Sequence, residues 1–544
     1  MIRKIVYKLK NSQPSNSINS AAFIIATAGI LSRALGLVRD RILAANFGAG
    51  DTLDIYYASF RVPDLIYNLL ILGALSAAFI PVFTSLLAHE KREEAWKLAN
   101  GLLSLAFLVL FFISLVFAIF TPFFMKFITP GFSGEKLAAV VKLTRIMFLS
   151  PIFLGISGVF GGILNSFKRF LIYSLAPLFY NLGIILGVVF LVPIFGISGL
   201  AWGVAGGALL HMLVQYPAVK LSGFKFSPAL NLRNGNLRKV LKLMIPRTMG
   251  LAVTQVNLLV VTIIASTLPA GSLAIFNFAN NLQSFPIGVF AIPFALAVFP
   301  SLSYFAAKEE KGNFIDSFSR TFRQILYFAI PASVLILVLR AQIVRVILGS
   351  GNFDWEDTIL TFQALGIFAV SLFAQCLVPL LARSFYALQN TKIPFYTGIV
   401  SEVVNLTLAL VLSRLYGILG LAWAFSLSSM VNMFLLFLIL RSKTGDLDDK
   451  KIISVTAKIS LFALLAGGVA QLSKYIVGPY TDTETFLGIF TQLAAGGAVG
   501  LALFFVLSYA FRLEEFEAVK KLLSGKFLRQ RQSIPDDPTE ASGL

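Results

Sequence analysis

Residues 32–40 read Ser-Arg-Ala-Leu-Gly-Leu-Val-Arg-Asp. They follow the apolar run "AAFIIATAGIL" (21–31) and precede Arg41. The run is long and apolar enough to begin a membrane-spanning helix, so three arginines and an aspartate fall where bilayer is expected. A charge at mid-bilayer costs about 2.5–3.5 kcal/mol on translocon scales. Such residues face a protein interior or a water-filled cavity and mark a pathway for polar cargo.

The rest of the chain fits that reading. It has 544 residues, of which 57% are hydrophobic and 13% charged, with a mean hydropathy of +0.83. Soluble domains carry roughly 25% charged residues, so this is an integral membrane protein. Apolar runs of about 20 residues recur along it, enough to cross a bilayer as helix. Alternating ten-residue strands are absent, which excludes a membrane β-barrel. The single cysteine, Cys376, excludes an intramolecular disulfide and a cysteine-based metal cluster. His89 and His211 lie in different segments and suggest no metal site. No Gly-x4-Gly-Lys-Ser/Thr motif is present, which argues against ATP hydrolysis.

Fourteen helical spans are predicted: 18–46, 52–87, 95–121, 138–166, 171–193, 197–220, 238–267, 272–305, 318–340, 357–388, 393–415, 417–441, 451–477 and 484–511. The net charge of +19 is distributed in alternate loops. Arg3, Lys4, Lys8 and Lys10 precede span 1, Lys91 and Arg92 follow span 2, and Lys168 and Arg169 follow span 4. Lys220, Lys225, Arg233, Arg238 and Lys239 follow span 6; Lys308, Lys311, Lys392, Arg441, Lys443, Lys450 and Lys451 continue the series. The opposite loops, "TPGFSGE", "LVPIFG", "STLPAGS", "GSGNFDWEDT" and "GPYTDTET", are nearly free of Lys and Arg. The positive-inside rule places both termini in the cytoplasm and explains the charge without nucleic acid. Residues 1–17 read as a retained cytoplasmic segment. The polar, proline-containing tail, 512–544, reads as partly disordered.

An internal repeat divides the chain. "FGISGLAWGVAGG" (195–207) matches "YGILGLAWAFSLS" (416–428), and "ILNSFKRFLIYS" (163–174) stands in the place of "ALQNTKIPFYTG" (387–398). "AAFIPVFTSL" (77–86) corresponds to "LAVFPSLSYF" (296–305), and Ser-Arg33-Ala-Leu-Gly-Leu to Pro-Arg247-Thr-Met-Gly-Leu. Six helices per repeat give two lobes of the same sense, 18–220 and 238–441, with a transport site between them. Spans 13 and 14 (451–511) lie outside the repeat and carry Gly467-Gly468 and Gly496-x-x-x-Gly500, suited to close helix contact.

Polar residues form stripes on the first two spans of each lobe. On span 2, Asp54, Tyr57, Arg61, Asp64 and Asn68 fall within an arc of about 80°. Arg247, Thr254 and Asn257 share a face of span 7, and Asn277, Asn280, Asn281 and Ser284 one of span 8. Arg33 and Asp40 share a face of span 1. Together they suggest one hydrated, cationic cavity. Simpler readings stand beside it: Arg39, Asp40 and Arg41 snorkel to the interface, Arg61 pairs with Asp54 or Asp64, and the span-8 amides join helices. Arg33, mid-span with no acid within one turn, is the hardest to explain structurally.

Several phrases now add up: "SRALGLVRDRILAANFGAGDTLDIYYASFRVPDL", "GALSAAFIPVF", "NNLQSFPIGVF", "VFPSLSYFAA" and "RSFYALQNTKIPF". Over about residues 18–511 the chain resembles the MurJ/MviN family of lipid II flippases, relatives of multidrug antiporters and polysaccharide flippases. The resemblance implies two six-helix lobes, a cationic central cavity and a groove for a polyprenyl tail on spans 13 and 14. It implies transfer of the lipid-linked peptidoglycan precursor to the outer leaflet of the bacterial cytoplasmic membrane. Implied partners are lipid II, membrane lipids and other cell-wall synthesis proteins. Arg33, Arg39 and Asp40 match the family's helix-1 motif, and Asp54 its helix-2 acid. Tyr67, Asn68 and Asn281 stand where many members carry arginine.

On this reading Arg33, Arg39 and Arg247 attract the diphosphate, arginine being suited to bidentate phosphate contacts. The membrane potential, at about 2.3 kcal/mol per charge per 100 mV, or a coupled Na+ or H+ drives the cycle. Glu402 and Asn405 on span 11 are candidates for the cation. Two rivals remain: an exporter of another lipid-linked oligosaccharide or of drugs, and a membrane glycosyltransferase using the acidic loop "GSGNFDWEDT".

Overall fold

A computed structural model describes residues 18–72, 78–228, 230–231 and 233–523. Among these residues the structure is helical throughout, with no strand. The first half contains α1 (Ile18–Phe47), α2 (Asp51–Ser59), α3 (Arg61–Tyr67), α4 (Ile80–Ala88), α5 (Arg92–Ile119), α6 (Thr121–Ile128), α7 (Gly134–Met147), α8 (Leu149–Ser166), α9 (Phe170–Leu186), α10 (Val192–Phe195) and α11 (Ser198–Leu221). The second contains α12 (Gly235–Ser266), α13 (Ser272–Pro286), α14 (Ile292–Ala307), α15 (Lys311–Ile347), α16 (Trp355–Ala387), α17 (Lys392–Tyr416) and α18 (Ile418–Thr444). Beyond the repeat lie α19 (Asp449–Val477), α20 (Phe486–Ala510) and α21 (Glu514–Leu523).

Ten helical segments among the described residues are long and apolar enough to cross a membrane. They fall on predicted spans 3–5 and 8–14. Spans 1, 2, 6 and 7 do not reach that measure over their described residues, and three of the four carry the polar stripes. Span 2 is broken: Pro63 has no N–H for the Ser59 carbonyl, so α2 ends at Ser59 and α3 begins at Arg61. π-helical turns at Gly187–Leu191 and Ile287–Ala291 lead into Pro193 and Pro293. A widened turn relieves the clash of each proline ring with the carbonyl four residues back. The short helices α6 and α21 were outside the predicted spans.

The repeat recurs in the turns. Outside glycine, left-handed backbone occurs at Glu90 and Glu309, and at Lys168 and Gln389. Gly196 and Gly417, ahead of the two Gly-Leu-Ala-Trp motifs, share φ of +57°. Lys168 and Gln389 have the same separation as Gly196 and Gly417, three residues away from the pairing of "ILNSFKRF" with "ALQNTKIP" made from sequence. Each Gly-Leu-Ala-Trp glycine also has the same task. A Cβ on Gly199 would strike the backbone of Leu191, and one on Gly420 that of Leu412.

The chain divides into two compact units. The first holds residues up to Phe285 with 347–368 and 395–428. Within it α9 packs against both α1 and α11, α8 against α5 and α11, and α2 against α7. The second holds 286–346, 369–394 and 429 onward. Its core is aromatic and aliphatic: Phe314, Phe318, Phe322 and Ile325 of α15 meet Leu377 and Leu380 of α16 and Leu436 of α18. Tyr327 continues into a second cluster with Ile459, Phe462 and Phe504. Gly467, Gly496 and Gly500 lie against Val334, Leu339 and Leu335 of α15, close approaches that larger side chains would prevent.

Candidate functional site

The polar stripes meet one another inside the first unit, where α1–α3 run beside α12 and α13. Arg39 folds back onto its neighbour: Nε and Nη2 donate to Asp40 Oδ1 at 3.0 and 2.8 Å, and Nη1 donates to Asn181 Oδ1 at 3.0 Å. Asp40 is 2% exposed, and its second oxygen accepts from Asn281 Nδ2 at 2.9 Å. Arg39 therefore does not snorkel; its charge is neutralised within the helix packing.

Arg61 makes no hydrogen bond or close ion pair with either acid of its own stripe. Its Nε donates to Thr262 Oγ1 at 2.6 Å and its Nη2 to Asn277 Oδ1 at 3.1 Å. Asp54, buried at 1% exposure, accepts from the backbone N–H groups of Gly271 (2.8 Å) and Ala274 (3.1 Å). A carboxylate at a helix N-terminus satisfies otherwise orphaned N–H groups and complements the helix dipole. Lys136 of α7 lies 3.5 Å from the same carboxylate and also pairs with Asp51. Asn68 turns inward along its own helix, donating to Asp64 O at 2.8 Å.

Arg33 differs. It is half-buried, and among the described residues its one hydrogen bond is a long donation from Nη1 to Ser284 O at 3.3 Å. Five N–H groups and one weak acceptor leave most of its donors available. The Arg247 side chain lies outside the described residues.

Beyond this network the two halves meet through backbone. Asn352 N donates to Ala45 O at 2.9 Å, Asn352 Nδ2 to Asn46 O at 2.7 Å, and Ala49 N to Asp357 Oδ2 at 2.7 Å. Gly271, with φ of +87°, sits so close that a Cβ would strike Ala49 O. We call this set of contacts the clasp. It uses the acids of "GSGNFDWEDT" structurally, since Asp354 Oδ1 accepts from Asp357 N at 2.8 Å. Asn181, Lys136, Thr262 and Asn352 belong to the arrangement and were not singled out from sequence. None of them belongs to a polar stripe, and helix periodicity does not relate a residue to its partners on other helices.

A second polar group lies between α12 and α17. Asn257 Nδ2 donates to Glu402 Oε2 at 2.8 Å and Asn405 Nδ2 to Glu402 Oε1 at 3.3 Å. Ser401 Oγ, one residue away, donates to Ser428 O at 2.7 Å. Both amides present N–H groups to the carboxylate; turned about, the set would offer a carboxylate and two amide oxygens, hard ligands suited to a small cation.

Comparison with known proteins gives these residues a family. The sequence model described as "Lipid II flippase MurJ" matches residues 43–491. A probable lipid II flippase of Vibrio cholerae is 30% identical over 434 residues, covering 78% of this chain and 83% of its own. A Thermotoga maritima protein of the same description is 30% identical over 506 residues, covering 92% and 97%. Among solved structures, lipid II flippase MurJ in an inward closed conformation superposes with a TM-score of 0.74 at 24% identity, over 90% of this chain and 99% of that one. An inward-facing multidrug transporter of the MATE family gives 0.66 at 15% identity, over 79% and 99%. The fold is thus shared with MurJ and with MATE-family transporters, and by its sequence the chain belongs to the MurJ family of lipid II flippases.

Proposed function

We propose that this protein carries lipid II from the inner to the outer leaflet of the bacterial cytoplasmic membrane, with both termini in the cytoplasm. Family membership over 43–491 is the observation that carries this reading. The intramembrane polar network gives it a physical basis, since a diphosphate and sugar headgroup cannot cross hydrocarbon unaided. Arg33 is the diphosphate ligand among the described arginines, because Arg39 and Arg61 are already engaged by protein acceptors. Arg247 is its counterpart in the repeat. Asp54, Arg61, Asn277 and Asn281 hold α1–α3 to α12–α13, and their bonds must break and reform if the halves rock. The polyprenyl tail stays in lipid, along α19 and α20.

A Na+ or H+ at Glu402, with Asn257 and Asn405, resets the carrier. Rotation of the two amides would turn their Oδ1 atoms to a cation in place of the N–H groups that now face the carboxylate. An inside-negative potential assists outward movement of the anionic headgroup. The glycosyltransferase reading is not favoured by the family match, and two of its three candidate acids, Asp354 and Asp357, accept from backbone N–H groups.

The test is depletion of the protein in cells followed by leaflet-resolved measurement of lipid II. Accumulation in the inner leaflet is the expected result. Unchanged distribution with halted glycan polymerisation would move the protein to a later, enzymatic step.

A further inference from the structure

A cavity of about 850 Å³ lies in the first unit, apart from the polar network. Lys142 and Arg145 of α7 line it together with Leu137, Ile146, Phe195 and Trp202. Spacings of three and four residues put Lys142, Arg145 and Ile146 on one face of α7. No lining residue is acidic. Arg145 Nε donates to Ala118 O at 3.0 Å, which anchors the guanidinium. Among the described residues neither Lys142 nor Arg145 has an ion-pair partner.

Ser198 also lines the cavity. It is 4% exposed, and its hydroxyl has no hydrogen-bond partner among the described residues. An unpaired buried hydroxyl is costly, and at a cavity wall a polar ligand atom would satisfy it. Ser198 is the first residue of α11, a helix of 24 residues, so the positive end of its dipole reaches the same place. Two cations, a hydroxyl and a helix N-terminus describe a receptor for a phosphate-bearing anion.

The surroundings select a lipid. Phe190, Ile194 and Phe195 are 61%, 70% and 54% exposed on the helical stretch that also spans the bilayer. Phe123 and Phe127 of α6, next to the lining residue Pro122, are 60% and 62% exposed. Half-exposed Trp202 suits the headgroup level, where tryptophans concentrate. Loops 129–135 and 191–196, which contribute Gly134 and Phe195, are the lysine- and arginine-free ones, so the cavity opens at the outer leaflet.

We propose that this cavity binds the headgroup of an anionic glycerophospholipid, with its phosphate on Lys142, Arg145 and Ser198 and its acyl chains along Phe195 and Trp202. The chain has four tryptophans. The test replaces Trp96, Trp355 and Trp423 by phenylalanine in the full chain and reads quenching of Trp202 in vesicles. Phosphatidylglycerol or phosphatidylcholine with brominated acyl chains is the quencher. Half-maximal quenching is expected at a several-fold lower mole fraction of phosphatidylglycerol. Lys142→Gln with Arg145→Gln should abolish that preference with unchanged thermal stability, and Ser198→Ala should reduce it. Should the double variant aggregate, Lys142→Glu alone reads the same loss. Equal quenching by the two lipids, or a preference that survives the double substitution, would overturn the proposal. Reversal of the quenching by millimolar inorganic phosphate would also overturn it, assigning the cavity to a soluble anion.

Discussion

Arg33 and Arg39 lie on the same helix and have different neighbours. Arg39 shares a buried carboxylate with Asn281 through Asp40, whereas Arg33 meets a single backbone carbonyl. Their substitutions should therefore fail differently. Arg33→Ala should insert and accumulate normally, because loss of a mid-span charge lowers the insertion cost by roughly 2.5–3.5 kcal/mol, yet flipping should fall to background. Arg33→Lys keeps the charge and loses the fork, so partial activity at most is expected. Protein level and lipid II flipping measured together check both. Arg39→Ala strands buried Asp40, a loss of about 3–5 kcal/mol when one member of a buried pair is removed. Its mark should be reduced folded protein, seen as a lowered melting temperature, which Arg39→Ala with Asp40→Asn should partly restore. The sequence marked these residues by type, because charge inside an apolar run is visible without coordinates. It did not mark their partners. Arg61 has two acids on its own stripe but bonds to Thr262 and Asn277, and helix periodicity relates only residues of one helix.

At the scale of elements, hydropathy and loop charge located the helical stretches well and their interruptions less well. The break at Phe60 and the π turns before Pro193 and Pro293 follow from proline chemistry, but where a helix widens rather than bends is decided by packing. Helix α21 was read as part of a polar tail. It is held by an ion pair that no local pattern shows: buried Arg323 of α15 meets Glu515, and Glu514 at 3.2 Å. Lys451 reaches Glu514 at 3.0 Å. Arg323→Leu should release α21 and make the segment around Leu513 sensitive to protease, while Arg323→Leu with Glu515→Leu should restore protection, since apolar replacement of a buried pair is often neutral. The hydrogen bond from the Lys451 ammonium holds the Glu514 carboxyl below the usual carboxylate range, with burial opposing and Arg323 assisting. A depressed folded value adds stability above the ordinary carboxylate pKa of about 4.3, lost as pH falls through the folded value. Protease protection of α21 should accordingly be constant near neutrality and decline below about pH 4.

For the whole molecule, the repeat ties sequence to architecture. Gly-Ile-x-Gly-Leu-Ala-Trp was legible because the same steric task, a left-handed turn followed by a close backbone approach, demands glycine twice. The clasp was not legible, since its bonds are largely to backbone and any sequence can supply those. Orientation is checked by labelling: in a Cys376→Ala background, Ser350→Cys should react with an impermeant maleimide in intact cells and Lys91→Cys only after lysis. The central claim is that lipid II crosses as the halves part at the clasp, where Asn352 bonds to Ala45 and Asn46. The most direct test places cysteines at Asn46 and Asn352 in the Cys376→Ala protein, joins them with a bifunctional methanethiosulfonate, and measures outer-leaflet lipid II before and after reduction. The account predicts that flipping stops when the clasp is cross-linked and returns when the link is reduced. Flipping that continues at the same rate through a quantitatively linked clasp would contradict it.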